Sequence, residues 1–136
     1  MGLTLQGRPL IDGDAQGPLL RLAAPLSFWG GVDPQTGVII QPRHPDHRAS
    51  IAGTILAIPR TVGSSSSSAV LLELIHRGKA PKAILLGEPD AITALGVLVA
   101  QEMGFGSLPV IQVTLDGLQS GMRLRVALGG RIQEIA

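Results

Sequence analysis

Residues 51–68 read IAGTILAIPRTVGSSSSS, and they predict a buried β-strand that leads into an α-helix. The strand is the apolar run 51–58, which Pro59 ends because proline cannot donate to the ladder of hydrogen bonds. From Ser68 to Arg77 the apolar residues recur at helical spacing, and Gly78 is typical of the position just beyond a helix. The predicted buried face of this helix consists of Leu71, Leu74 and Ile75.

The second half of the chain continues the alternation of strand and helix. Asp90 is suited to cap a helix that ends at Gly104, because its carboxylate can accept hydrogen bonds from the first free amides. The apolar stripe predicted for that helix consists of Ile92, Leu95, Val99 and Met103. Short strands are predicted at 82–86 and 110–113, and a terminal hairpin at 122–128 and 131–135.

The first half consists of short apolar runs separated by turn signals. We interpret Gln16-Gly17-Pro18 as a break between elements and residues 42–48 as a solvated loop. Strands are predicted at 3–8, 19–22 and 37–40. The whole pattern predicts one compact domain over residues 1–136, of the α+β or α/β layered class, with seven to nine strands and two main helices.

Composition excludes several classes of function. The 136 residues include 11 Lys+Arg and 10 Asp+Glu, for a formal net charge of +1, so the basic surface of a nucleic-acid-binding domain is not expected. No apolar run reaches the roughly 20 residues that span a membrane, and the first residues do not resemble a signal peptide. We therefore expect a cytoplasmic protein. With no cysteine, and with His44-Pro45-Asp46-His47 interpreted as part of the solvated loop, we predict no metal site in this chain.

The run of Gly63 followed by the serines 64–68 is the main candidate for chemistry. From the residues alone three interpretations stay open: a flexible linker or simple helix cap, an anion-binding turn, and a catalytic serine. A strand-to-helix turn of this kind directs N–H groups and hydroxyls toward one point beside the positive end of the helix dipole. Arg60, just before the turn, is the best placed of the loop arginines to bind a carboxylate.

The segment Phe28-Trp29-Gly30-Gly31 is the second candidate. It holds two of the three aromatic residues, next to paired glycines that allow close approach of the backbone. One interpretation is a hydrophobic plug that fixes a loop onto the core. The other is a wall of a binding cleft or of a partner interface, to which Trp29, Gly30 and Gly31 would contribute.

Three motifs follow one another along residues 13–113. They are Leu26-Ser27-Phe28-Trp29-Gly30-Gly31-Val32-Asp33-Pro34-x-Thr36-Gly37, the turn from Pro59 to Gly63-Ser64-Ser65, and Gly78-x-Ala80-Pro81-x-Ala83-Ile84. In this order and spacing they resemble the swivel domain of the aconitase X family. The resemblance implies a β/β/α layered swivelling domain that is either fused to a large catalytic domain or made as a separate small subunit. A chain of this length resembles the separate subunit.

The resemblance implies a hydro-lyase that removes water from a hydroxy acid and acts only with a large partner subunit. That partner would hold an iron–sulfur cluster whose iron takes the hydroxyl, since this chain has no cysteine to hold one. In aconitase-like enzymes a serine from a Gly-Ser-Ser turn removes the carbon-bound proton. Carried over residue by residue, Ser64 takes the role of the base and Ser65 is the second choice.

The turn departs from aconitase in one respect, because the arginine that aconitase has two residues after its serine is replaced here by Ser66. Binding of the substrate carboxylate would then depend on Arg60, on backbone amides or on the large subunit. The predicted substrate-binding residues are Gly63, Ser66, Arg60, Trp29, Gly30 and Gly31.

Two substrates are implied by the resemblance. We favour cis-3-hydroxy-L-proline or a similar small hydroxy acid, because a phosphorylated substrate requires extra cations and Lys79 and Lys82 lie away from the serine turn. The alternative is 5-phosphomevalonate. A hypothesis of another class is a non-catalytic domain that binds an anion, or that only covers a site built by its partner.

Overall fold

Over residues 2–136, which the computed structural model describes, the chain forms eight strands and two helices. In chain order these are β1 (Thr4–Gln6), β2 (Arg8–Ile11), β3 (Ala15–Arg21), β4 (Ile55–Ile58), α1 (Ser67–His76), β5 (Ala83–Leu86), α2 (Ala91–Glu102), β6 (Val110–Gln112), β7 (Arg123–Ala127) and β8 (Arg131–Ile135). Within this range, neither helix has the length and apolar character to cross a membrane.

The strands lie in the order β1-β8-β7-β3-β4-β5-β6-β2. The four strands from β3 to β6 pair in parallel, and α1 and α2 form the crossovers from β4 to β5 and from β5 to β6. The other pairs are antiparallel. β3 joins the antiparallel strands to the parallel strands, since Ala15–Pro18 pairs with β7 and Leu19–Arg21 pairs with β4.

Two apolar cores lie on opposite faces of the parallel strands, because successive side chains of a strand point in opposite directions. On β4, Leu56 and Ile58 belong to the core that includes Leu71 and Leu74 of α1. Ile55 and Ala57 belong to the core formed with β7 and β8. The result is a helical layer, a parallel layer and an antiparallel layer, so the predicted α+β fold with β/β/α layers is confirmed.

Three strand predictions for the first half need correction. The strand predicted at 51–58 begins only at Ile55, because residues 51–54 form a turn in which the N–H of Thr54 donates to the carbonyl of Ile51 at 3.3 Å. Residues 37–40 make only isolated bridges to neighbouring loops and no strand. The strand predicted at 3–8 is two strands, β1 and β2, which lie at opposite edges of the sheet.

The break predicted at Gln16-Gly17-Pro18 is wrong, because these residues lie inside β3. Pro18 is the last residue that pairs with β7, and Leu19 is the first that pairs with β4. A proline is compatible with a strand where the ladder is interrupted. At Pro18 the strand changes partner, which explains how it fits.

The prediction for α1 is confirmed, and that for α2 is partly wrong. Asp90 caps α2 as expected, accepting from the N–H groups of Ile92 and Thr93. The stripe predicted to be buried is not the buried face: Leu95 and Met103 are exposed, and the buried residues of α2 are Thr93, Gly96, Val97 and Ala100. α2 therefore packs through its small residues.

The loop at residues 42–48 is not solvated throughout, since His44 is only 4% exposed. Its Nδ1 accepts from the N–H of Asp46 at 2.9 Å, and its Nε2 lies 3.2 Å from the carbonyl of Ala24. This pairing requires the neutral ring with its proton on Nε2. His44 is therefore a buried structural residue, and the prediction of a solvated segment fails at this position.

Candidate functional site

The candidate site lies where the carboxyl ends of β4 and β5 run into the two helices. This edge of a parallel sheet is the usual ligand-binding edge in α/β architectures. A concave site of about 100 Å³ opens here, lined by Thr61, Val62, Gly63, Ser64, Ser67, Asp90 and Ile92. Both helices begin at this site, so the positive ends of two helix dipoles converge on it.

The serine run is a hydrogen-bonded turn that becomes the first residues of α1. The Oγ of Ser64 accepts from the N–H of Ser66 at 3.0 Å, and the carbonyl of Ser64 accepts from the N–H of Ser67 at 3.0 Å. The hydroxyl of Ser68 donates to the carbonyl of Ser65 at 2.9 Å. These bonds hold the turn in one shape, so the run does not act as a linker between two units.

Ser64 is exposed and lines the concave site. The N–H of Ser66 points at its oxygen, and α1 begins three residues later. A donated N–H and a helix N-terminus both stabilise negative charge on an oxygen. The N–H of Ser66 and the start of α1 therefore both favour negative charge on the Ser64 oxygen.

Asp90 forms the opposite wall of the site. Its carboxylate accepts from the hydroxyls of Thr61 at 2.5 Å and Thr93 at 2.7 Å, and from the N–H groups of Ile92 at 3.0 Å and Thr93 at 3.3 Å. Burial raises the pKa of this carboxyl, but the hydrogen bonds outweigh burial and lower the pKa below its ordinary value. Asp90 is therefore an ionised cap that ties the exit of β4 to the start of α2.

The turn of residues 27–32 packs against the serine turn. Phe28 is 1% exposed and anchors this segment in the core. The N–H of Trp29 donates to the Oγ of Ser67 at 3.1 Å, and the hydroxyl of Ser27 donates to the carbonyl of Trp29 at 2.8 Å. A Cβ atom added to Gly63 would lie 2.5 Å from the Oγ of Ser27. The two turns are therefore in van der Waals contact and joined by a hydrogen bond.

The interpretation of the aromatic segment as a plug holds for Phe28, whereas the interpretation as a cleft wall or partner interface stays a prediction. Phe28 is the predicted plug. Trp29 is 58% exposed and does not line the concave site, and the same holds for Gly30 and Gly31. Trp29 borders the serine turn through its bond to Ser67, and contact of Trp29, Gly30 and Gly31 with substrate stays a prediction.

The remaining predicted site residues divide between the lining and the rim. Gly63 and Ser64 line the site, whereas Ser65 and Ser66 are exposed on the same turn outside the lining. The Arg60 side chain is exposed, and within residues 2–136 it makes no hydrogen bond or ion pair. Its guanidinium is available to a ligand or a partner, and its role stays a prediction.

Thr61 and Ser67 are not among the site residues predicted from the sequence, and Asp90 was predicted only as a helix cap. One signal was available for Thr61 and Asp90. Each follows the end of one of two consecutive strands joined by a helix, and such strands become parallel neighbours whose ends meet. Ser67 gave no signal of its own, because nothing distinguishes it from its neighbours in a run of identical residues.

The chain contains no cysteine, and cysteine thiolates are the usual ligands of iron–sulfur clusters. Within residues 2–136, no three His, Asp or Glu side chains come together as a metal site would require.

Comparison with known proteins identifies relatives over nearly the whole chain. The model of the family described as the aconitase X swivel domain matches residues 4–135. The chain is 52% identical over 103 residues to a cis-3-hydroxy-L-proline dehydratase of Pseudomonas aeruginosa, a match that covers 76% of this chain and 18% of that protein. It is 41% identical over 125 residues to the phosphomevalonate dehydratase small subunit of Thermococcus gammatolerans, covering 91% of each. The chain thus spans a small part of the first relative and nearly all of the second.

Solved structures share the fold. The chain superposes on a crystal structure of Thermococcus kodakaraensis aconitase X in its holo-form with a TM-score of 0.90 at 36% identity, covering 99% of this chain and 100% of that one. A solution NMR structure of a UPF0107 protein gives a TM-score of 0.85 at 30% identity, covering 98% and 100%.

Proposed function

The chain belongs to the aconitase X swivel-domain family, and we propose that it is the small subunit of a two-chain dehydratase in which Ser64 removes a carbon-bound proton from a small hydroxy acid. The observation that carries this proposal is the position of Ser64. Its hydroxyl is exposed in a concave site, accepts from the N–H of Ser66 and lies at the start of α1. A buried or outward-facing Ser64 would have contradicted the assignment.

Ser64 needs a stabilised negative charge to act as a base. To take a proton from carbon, its oxygen must first give up its own proton, which a serine hydroxyl does only with assistance. A hydrogen bond to a charged oxygen is worth about 1.5–3 kcal/mol, and a helix N-terminus adds about 0.3–1 kcal/mol. We expect further positive charge from Arg60 or from the partner subunit, because no Lys or Arg is among the residues that line the site.

A partner subunit completes the site in this proposal. Ligand pockets typically enclose about 300–1,000 Å³, whereas the concave site of this chain holds about 100 Å³. The dimensions are those of part of a site that a second chain closes. The proposal assigns the iron–sulfur cluster of this enzyme class to that second chain, in agreement with the absence of cysteine here.

We favour cis-3-hydroxy-L-proline, or a hydroxy acid of similar size, as the substrate. The ionised carboxylate of Asp90 in the wall of the site repels a phosphate dianion more strongly than it repels the single charge of a carboxylate. The 52% identity to a dehydratase named for this substrate supports the same choice. The second candidate is 5-phosphomevalonate, favoured by the match over 91% of both chains to a small subunit named for it.

The proposal is tested by producing the chain together with a large aconitase X subunit and assaying dehydration of both candidate substrates. General-base catalysis contributes about 10²–10⁴-fold, so Ser64→Ala is expected to lower kcat by at least about 100-fold while the complex still assembles. Ser68→Ala is the matched control for loss of a hydrogen bond that holds the turn, because its hydroxyl bonds the carbonyl of Ser65 and does not line the site; its loss of kcat is expected to be far smaller than that of Ser64→Ala.

Ser65→Ala decides which serine of the turn is the base. Loss of turnover in Ser65→Ala with Ser64→Ala active would move the role to Ser65. Full activity of both variants in an assembled complex would refute a serine base in this chain. It would instead support a subunit that only covers the site of its partner.

A further inference from the structure

We propose that the hydroxyl of Ser67 donates a hydrogen bond to the carboxylate of the substrate and that the N–H of Trp29 orients it for this task. The inference rests on the proposed function and adds a substrate-binding residue to it. Ser67 is neither the predicted base nor one of the residues predicted to bind substrate.

Ser67 lies in the wall of the concave site, at the start of α1. The residue is only 7% exposed, yet it lines the concave site together with Ser64. It is the first residue of α1, where the positive end of the helix dipole favours an anion. A buried polar side chain next to the base is thus directed at the place where a substrate would sit.

The Ser67 hydroxyl accepts one hydrogen bond within the chain. A serine hydroxyl has one proton to donate and two lone pairs that accept. The N–H of Trp29 occupies one lone pair at 3.1 Å. Among the hydrogen bonds that residues 2–136 make with one another, the Ser67 hydroxyl donates none, whereas that of Ser68 donates to the carbonyl of Ser65.

A buried donor without an acceptor is costly, so such protons are normally paired. The Ser67 side chain lines the concave site, which makes an oxygen bound there the natural acceptor. The chain of donors from Trp29 N–H through Ser67 O–H to that oxygen would be cooperative, since each bond polarises the next.

The absence of Lys and Arg from the lining of the site favours a carboxylate over a phosphate as the acceptor. The Asp90 carboxylate in the same wall is already occupied by two hydroxyls and two N–H groups, so it does not compete for the Ser67 proton. A single neutral donor beside a helix N-terminus suits a monoanion better than a phosphate dianion, which calls for cationic partners.

The test compares the hydroxy acid with its carboxamide in the assembled two-chain complex. A hydrogen bond to a charged acceptor is roughly twice as strong as one to a neutral acceptor. We therefore expect Ser67→Ala to lower kcat/KM for the acid by about 10- to 100-fold, mainly through KM, with a loss about tenfold smaller for the carboxamide. Ser68→Ala is expected to leave the ratio of kcat/KM for the acid to kcat/KM for the carboxamide unchanged.

Equal losses on the acid and the carboxamide would overturn the inference, because they would mean that Ser67 only holds the Trp29 turn in place. Ser67→Cys, which keeps the volume with a weaker donor, is expected to shift the ratio in the same direction and serves if Ser67→Ala fails to assemble. A complex that dehydrates no hydroxy acid would refute the proposed function as well. A complex that loses turnover in Ser64→Ala while Ser67→Ala and Ser67→Cys keep the wild-type ratio would refute this inference alone.

Discussion

Replacing Gly63 by alanine tests how tightly the serine turn is held against its neighbour. Gly63 has φ +104°, a conformation that side-chain-bearing residues rarely adopt. An added Cβ would lie 2.5 Å from the Oγ of Ser27 and 3.2 Å from its Cβ. The substitution therefore introduces both backbone strain and a steric clash one residue before the proposed base.

The expected destabilisation follows from these two effects. Backbone strain of this kind costs about 1–3 kcal/mol. To avoid the clash, Ser27 must rotate and give up its 2.8 Å bond to the carbonyl of Trp29, which is worth about 0.5–1.5 kcal/mol. The sum is about 1.5–4.5 kcal/mol, which at about 4 °C per kcal/mol lowers Tm by roughly 6–18 °C.

Gly78→Ala is the matched control for the backbone effect. Gly78 has φ +70°, and an added Cβ would meet nothing within 4 Å. Only the left-handed conformation is penalised there, at about 1–2 kcal/mol. We therefore expect the free energy of unfolding, measured in urea, to fall further in Gly63→Ala than in Gly78→Ala.

The double variant Gly63→Ala/Ser27→Gly separates the two effects. Removing the Ser27 side chain relieves the clash and leaves the strain, so the second substitution is expected to cost less in the Gly63→Ala background than in the wild type. Equal destabilisation by Gly63→Ala and Gly78→Ala, with no coupling to Ser27, would refute the reasoning. In the two-chain complex only Gly63→Ala should lower kcat, because only Gly63 adjoins Ser64.

Two further predictions concern the residues that hold the site together. Asp90→Ala removes the cap of α2 and the acceptor of two hydroxyls and is expected to cost about 2–3 kcal/mol, whereas Asp90→Asn keeps the cap and costs less. Because the folded-state pKa of Asp90 is lowered, its charge stabilises the fold above pH about 4, and this contribution is lost as the pH falls through the folded pKa. The difference in the free energy of unfolding between wild type and Asp90→Asn, measured in urea, should therefore be smaller at pH 3 than at pH 7. A larger difference at pH 3 would contradict this. Phe28→Ala empties a fully buried position and is expected to cost about 3–5 kcal/mol. The fluorescence of Trp29, the only tryptophan, should change in that variant, and an unchanged spectrum would show that Phe28 does not anchor the turn.

The candidate site was predictable where the signal is local. The glycine–serine run between a strand and a helix predicted a turn at Gly63 and Ser64, and these two residues line the concave site; the role of Ser64 came from the family resemblance and stays a prediction. Ser67 could not be selected from the same run, because its burial depends on the turn that carries Trp29, some forty residues earlier in the sequence. That contact exists only once the chain has folded.

The sequence by itself determined the order of strands and helices in the second half, the caps at Asp90 and Gly78, and the strand-to-helix turn that presents Ser64. These features depend on interactions within a few residues, which local patterns encode. Only the tertiary structure decided that β3 runs through Pro18, that His44 is buried, and which face of α2 is covered. Gly96 shows the reason for the last of these, because a Cβ there would lie 2.9 Å from the carbonyl oxygen of Ser68. The two helices therefore meet where glycine allows their backbones to approach closely. Leu95, Leu98 and Met103 of α2 remain exposed.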